Sequence, residues 1–318
     1  MITNILLVIV GFALLIKCAD FFVDGAASLA KHLRVPATVI GLTIVAFGTS
    51  SPELAVSVQA HLSGNTDMLV GNIVGSSIIN IFLIIGISAL IAPMRTKNHV
   101  VRQELPILLL ITAGFAVMFL DKLLDGSPDN LISRTDGVML VLVFSIFLYY
   151  LLGIIHGKRA VRKQEDIKAK FGVPVSVVAI IGGLAGIILG SNLVVDHASS
   201  IALTLGLSQK IIAVTIVSIG TSLPELITSV MAAKKGEPAL ALGNIIGSNI
   251  FNICMALGLP VIIFGSVSLA SFSIIDVVYM ILSVLTLLFF AATKRTISRK
   301  EGVVLVLLFL SYYVWSMV

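Results

Sequence analysis

Two glutamates, Glu53 and Glu225, stand in nearly the same polar phrase, Gly48-Thr49-Ser50-Ser51-Pro52-Glu53 and Gly220-Thr221-Ser222-Leu223-Pro224-Glu225. Each phrase interrupts an apolar run long enough to cross a membrane. A bare carboxylate at that depth carries a heavy desolvation cost, and two of them repel, so they must be protonated or compensated by cations. Downstream, Asn72, Ser76 and Asn80 follow one another at i, i+4 and i+8, as do Asn244, Ser248 and Asn252. Each set makes a polar stripe on one face of a helix. Carboxylate, hydroxyl, amide and backbone carbonyl oxygens suit a hard cation such as Ca2+, which takes about 6 to 8 of them. A site of thiolates or imidazoles is not supported: Cys254 lies beyond its stripe, and none of the five histidines falls in the repeated phrases.

The spacing within each phrase predicts how the backbone serves such a site. Gly48 and Gly220 are expected to end a half-helix, leaving the carbonyls of Ala46, Phe47, Ser218 and Ile219 without intrahelical partners and open to a cation. Pro52 and Pro224 suit the first turn of the next half-helix, where a missing N–H does least harm. Ser50 or Ser51 is a candidate cap for that turn, although Leu223 in the second copy shows that a cap is not required. Within the stripes, Asn72 and Asn244 lie near helix ends and read as interhelical hydrogen-bonding glue. Ser76, Asn80, Ser248 and Asn252 lie deeper and read as ion ligands.

The elements that must position these residues are membrane helices. Hydrophobic residues make up 58% of the 318 and charged residues 12%, with a mean hydropathy of +1.12, which excludes an ordinary water-soluble domain. Apolar spans are expected near 2–19, 36–60, 68–92, 103–121, 136–155, 174–195, 210–232, 239–264, 273–292 and 302–317. With both termini outside, 17 of the 21 lysines and arginines fall in internal connections, as the positive-inside rule requires. The net charge of +5 is thus a matter of topology rather than of nucleic-acid binding. Cys18 and Cys254 read as packing thiols.

The two halves are copies of one another. Between 42–58 and 214–230, 11 of 17 residues are identical, and between 71–81 and 243–253, 8 of 11 are, at a constant offset of 172 that reaches back to Asp24 and Asp196. Shared greasiness cannot match polar residues, so this is an internal duplication. Each unit holds an odd number of spans, so the second copy inserts upside down, the recurring plan of secondary transporters. The expected fold is an all-α polytopic membrane protein. It has ten transmembrane helices in two inverted five-helix repeats, 1–155 and 174–318, with interrupted helices at the midplane and a cytoplasmic linker at 156–173. A multi-pass protein of the cell (inner or plasma) membrane and a monomer are expected.

The two blocks resemble the alpha repeats of the calcium/cation antiporter superfamily. The G-T-S-x-P-E and G-N-I-x-G-S-x-I-x-N patterns are similar to those of sodium/calcium exchangers, especially the prokaryotic ones. The resemblance implies exchange of several Na+ for one Ca2+ by alternating access, with these ions as cargo, no organic cofactor and no enzymatic activity. Carried over by position, Glu53, Glu225, Thr49 and Thr221 coordinate Ca2+, and Ser50, Ser76, Ser222 and Ser248 with the carbonyls of Ala46 and Ser218 line Na+ positions. Asn252 stands where some relatives, potassium-dependent ones included, carry Asp, which removes one titratable group. The proton/calcium members usually carry an Asn-Ala-x-Glu type phrase instead, so the hydroxyls here favour Na+; proton coupling is the alternative, and a cation channel or an intramembrane hydrolase the more distant ones. Asp24 and Asp196 read either as ends of two sliding spans or as structural helix-end residues.

Overall fold

The computed structural model describes residues 1–124, 126, 129–156, 169–206, 218–269 and 273–316. Most of the expected linker, residues 157–168, and the start of the seventh expected span, residues 210–217, lie outside the described residues.

Helices account for most of the described residues. In order they are α1 (Ile2–His32), α2 (Ala37–Thr49), α3 (Ser51–Leu62), α4 (Thr66–Ile91), α5 (Val100–Leu120), α6 (Arg134–His156), α7 (Val173–Thr204), α8 (Ser218–Thr221), α9 (Leu223–Lys234), α10 (Pro238–Phe264), α11 (Ile274–Thr293) and α12 (Arg299–Ser316). Among the described residues seven helices are long and apolar enough to cross a membrane, and α2 with α3 forms an eighth such unit bent by 43°. The chain is an integral membrane protein. The first span is longer than its apolar stretch suggests. The helix continues past Lys17 because Asp20 and Asp24, one turn apart, find cationic partners elsewhere in the fold.

Burial places α4 and α10 at the centre: 78% and 83% of their apolar windows are buried, against 22% for α1 and 33% for α7. The two central helices carry the polar stripes. Both widen into π-helical turns at the last asparagine of the stripe, Ile79–Ile85 around Asn80 and Asn252–Leu257 from Asn252 onward, a local distortion common at functional sites. α2 crosses α10 backbone to backbone. A Cβ at Gly41 would lie 2.6 Å from the Leu240 carbonyl oxygen, and one at Gly243 would strike that of Thr38. Only glycine permits this approach.

Two short antiparallel pairs tie the halves together. β1 (Met94–Arg95) pairs with β4 (Thr296–Ile297), and β2 (Leu131–Ile132) pairs with β3 (Val267–Ser268). In both, a connection from the first half meets one from the second. Outside the central bundle, α1 and α7 pack along their lengths, with Gly11 and Gly190 face to face and Cys18 seated on Gly186.

Candidate functional site

Both breaks are one residue wide and have the same shape. Ser50 (φ −86°, ψ 6°) and Ser222 (φ −87°, ψ 4°) leave the helical path, and Pro52 and Pro224 follow in the first turn of α3 and α9. That turn brings Glu53 and Glu225 inward, and both side chains are wholly buried.

Several local expectations are corrected. Gly48 and Gly220 do not end a helix by adopting a left-handed backbone; they lie within α2 and α8 and make room for Leu184 and Val195 of α7. The Ala46 carbonyl is not orphaned, since it accepts from Ser50 N at 2.9 Å and from Thr49 Oγ1 at 3.4 Å. Phe47 O accepts from Ser51 Oγ at 2.9 Å, and Ile219 O from Ser222 N at 3.2 Å. The break is too short to strip these carbonyls of partners. Neither Ser50 nor Ser51 caps α3 with its side chain. Ser51 bonds back to Phe47, and Ser50 reaches across the molecule.

That reach defines the centre. Ser50 Oγ donates to Glu225 Oε1 at 2.9 Å, and Ser248 Oγ approaches the same oxygen at 3.4 Å. Thr49 Oγ1 donates to Asn244 Oδ1 at 3.1 Å. Asn252 Nδ2 donates to Ser76 Oγ at 3.2 Å, and Asn80 Nδ2 to Asn249 Oδ1 at 2.8 Å. Four of these bonds join residues 169 to 195 positions apart in sequence and so link the two halves. Thr49, Ser50, Ser76, Asn80, Ser222, Ser248 and Asn252 are all buried, as is Ala46, while Thr221 is half-buried and Ser218 opens α8.

What the network leaves over is chemically uniform. Of the twelve buried side-chain oxygens without a hydrogen-bond partner among the described residues, six lie on the residues singled out above: both carboxylate oxygens of Glu53, Glu225 Oε2, Asn80 Oδ1, Asn252 Oδ1 and Ser222 Oγ. The amide nitrogens of Asn80 and Asn252 donate to Asn249 and Ser76, while the oxygens of the same two amides have no partner. A buried oxygen without a donor is expensive. A set of them suits a hard cation. Among the described residues no group of three or more His, Cys, Asp or Glu side chains comes together, so the charge at this centre rests on two carboxylates.

The halves differ in detail. Glu225 is held by Ser50 and Ser248, whereas Glu53 has no donor and Ser222, the counterpart of Ser50, makes no bond to it. Asn72 and Asn244 serve as glue, donating to Ser57 and Ser229 at the equivalent distances of 3.3 and 3.0 Å. Asn249 was missed in the sequence. It stands where the first copy has Ser77, holds Asn80, and donates to the Ser77 carbonyl at 3.2 Å. Its signal was a departure from the repeat inside an otherwise matched stripe.

Comparison with known proteins gives the family. The profile of the sodium/calcium exchanger protein family matches residues 3–153 and 175–318. The chain belongs to that family. It is 32% identical to the sodium/calcium exchanger MaX1 of Methanosarcina acetivorans over 98% of this chain and 97% of that protein. The inner membrane protein YrbG of Escherichia coli (strain K12) is 38% identical over 81% and 79% of the two chains. The fold matches that of the sodium-calcium exchanger NCX_Mj soaked with Na+ and Sr2+, with a TM-score of 0.84 and 33% identity over 98% of each chain. This exchanger is a membrane antiporter of cations and Ca2+, and not an enzyme.

Proposed function

We propose that this exchanger couples Na+ entry to Ca2+ extrusion, and that Glu53, Glu225, Asn80, Asn252 and Ser222 hold the ions, with Thr49, Thr221, Ser50, Ser76, Ser248 and the carbonyls of Ala46 and Ser218 around them. The observation that carries this reading is the set of six buried, unpartnered oxygens on those residues. Two carboxylates balance one Ca2+ or two Na+, and either load lets the site close where two bare charges would not. Hydroxyls next to the glutamates, in place of further titratable groups, favour Na+ over protons as the counter-ion.

The reading includes ten transmembrane helices in inverted repeats, both termini outside. Pairing of β1 with β4 and of β2 with β3 supports it, because a two-fold exchange of the halves carries one pair onto the other. Alternating access then follows from sliding of the peripheral pair α1 and α7 along the central body, exposing the ions to one side at a time. Cysteine pairs that lock α1 and α7 to the body stop exchange under this scheme; full transport with both locks closed refutes it.

The test is uptake of radiolabelled Ca2+ into proteoliposomes loaded with Na+, against vesicles loaded with K+ or carrying a pH gradient, for the wild type, Glu53→Gln and Glu225→Gln. Uptake that needs internal Na+ and vanishes in both variants is the expected result. Uptake driven by the pH gradient instead makes the protein a proton antiporter, and uptake that needs no counter-ion makes it a channel.

A further inference from the structure

The second half of α1 is fastened on two sides. Toward α7 the bonds stay within the peripheral pair. Lys170 N and Phe171 N donate to Ser28 Oγ at 3.0 and 3.2 Å, His32 Nε2 meets Phe171 O at 2.8 Å, and Lys170 Nζ meets Asp24 Oδ2 at 2.7 Å. Toward the central body a charged side chain reaches across. Lys235, which follows the last residue of α9, sets its ammonium against Asp24 Oδ1 at 2.6 Å, Asp20 Oδ1 at 2.7 Å and the Asp20 carbonyl oxygen at 2.7 Å. An ammonium has three donors, and α1 supplies an acceptor for each of them.

The duplication does not reproduce this cluster. At the offset of 172, Lys235 corresponds to Ser63, Asp20 to Asn192 and Asp24 to Asp196. Ser63 turns its hydroxyl back on its own helix, donating to Gln59 O at 2.9 Å and Ala60 O at 3.1 Å. Under the inverted-repeat reading, exchanging the roles of the two halves carries one end of the slide into the other. That exchange puts a serine, an asparagine and one aspartate where an ammonium holds two carboxylates, so the two ends differ in energy. Parting the cluster is not prohibitive. Asp20, Asp24 and Lys235 are half-buried and line a cavity of about 1220 Å³, so water solvates the separated charges as it cannot those of a fully buried pair.

We propose, resting on the sliding of α1 and α7 put forward above, that Lys235 with Asp20 and Asp24 is a one-sided latch. It holds the peripheral pair to the start of the α9–α10 turn in the arrangement seen here, and it parts in each transport cycle. Its effect is a bias between the two ends of the slide. A half-exposed ion pair of this kind changes their ratio by about fivefold, and salt weakens it. Lys170 shares the acceptor Asp24 but moves with the pair, so its bond contributes nothing to the bias.

The test reads the distance between spin labels at Leu6 of α1 and Tyr149 of α6, both exposed, in the full-length, transport-active protein with Cys18 and Cys254 replaced by alanine. Samples in lipid nanodiscs, with Na+ or with Ca2+, compare the otherwise unchanged chain with Lys235→Gln, Lys235→Arg, Lys170→Gln and Asp20→Asn. Asp20→Asn keeps the test open should Lys235→Gln fail to fold. Two distances are expected, with the second enriched about fivefold by Lys235→Gln and less by Asp20→Asn. Lys235→Arg and Lys170→Gln leave the ratio unchanged, and raising KCl from about 0.1 to 1 M shifts the unchanged chain but not Lys235→Gln. Two distances in the same ratio with and without Lys235, or a shift by Lys170→Gln as large as that by Lys235→Gln, overturn the latch and leave the sliding intact. One distance in every sample of a protein that still exchanges ions removes the sliding itself, and the latch with it.

Discussion

Glu53→Gln tests the ion site most directly, because neither carboxylate oxygen of Glu53 accepts a hydrogen bond from the protein. The substitution removes a charge without breaking a bond in the ion-free state, so melting in ion-free buffer is expected at or above the wild-type temperature. Ca2+ at about 100 times its dissociation constant stabilises the wild type by about 2.7 kcal/mol. Removing one charged partner of a buried, desolvated pair costs about 2 to 5 kcal/mol, which is roughly 30-fold to several thousand-fold in affinity. At the same Ca2+ concentration the variant therefore retains between about 0.8 kcal/mol of stabilisation and none. The assay is thermal unfolding of the purified protein across a Ca2+ titration. A Ca2+ response with an unchanged midpoint refutes Glu53 as a ligand, and a large loss of stability in ion-free buffer shows it to be a structural group.

Four further outcomes follow from the same geometry. Ser222→Ala removes an oxygen with no hydrogen bond to lose, so ion-free stability stays within about 0.5 kcal/mol while Na+-dependent uptake falls; Ser50→Ala instead breaks the 2.9 Å bond to Glu225 and destabilises by about 1.5 to 3 kcal/mol. Asn249→Ala frees the Asn80 amide and raises the Ca2+ concentration for half-maximal uptake; an unchanged value removes Asn80 from the ligand set. Gly41→Ala drives a Cβ to 2.6 Å from the Leu240 carbonyl oxygen, and because backbone cannot yield as a side chain does, thermal stability drops by about 1 to 3 kcal/mol.

The amino-acid sequence by itself determined that this is a membrane protein built from a duplicated unit, and which polar residues matter. Burying Glu53 and Glu225 in apolar runs is tolerable only for function, and two copies of one phrase at a constant offset cannot arise from hydropathy alone. Prolines in the first turn after each break were legible too, because a missing N–H restricts where proline sits in a helix. Partnership was not legible. That Ser50 bonds Glu225 rather than capping its own helix, that Ser248 joins it, and that Asn249 orients Asn80 depend on the α2–α3 break, α4, α9 and α10 coming together, with Ser50 and Asn80 some 170 residues from their partners. Local spacing favours nearby partners, so it offered caps and orphaned carbonyls where the fold supplies cross-chain bonds and a one-residue break. The glycines show the same division. Their positions in the phrases are plain, but only packing decides that Gly48 and Gly220 make room for α7, and that Gly41 and Gly243 let two backbones touch. Sequence periodicity determines which face a residue occupies; which neighbour fills the space on that face is settled by close packing of the whole bundle.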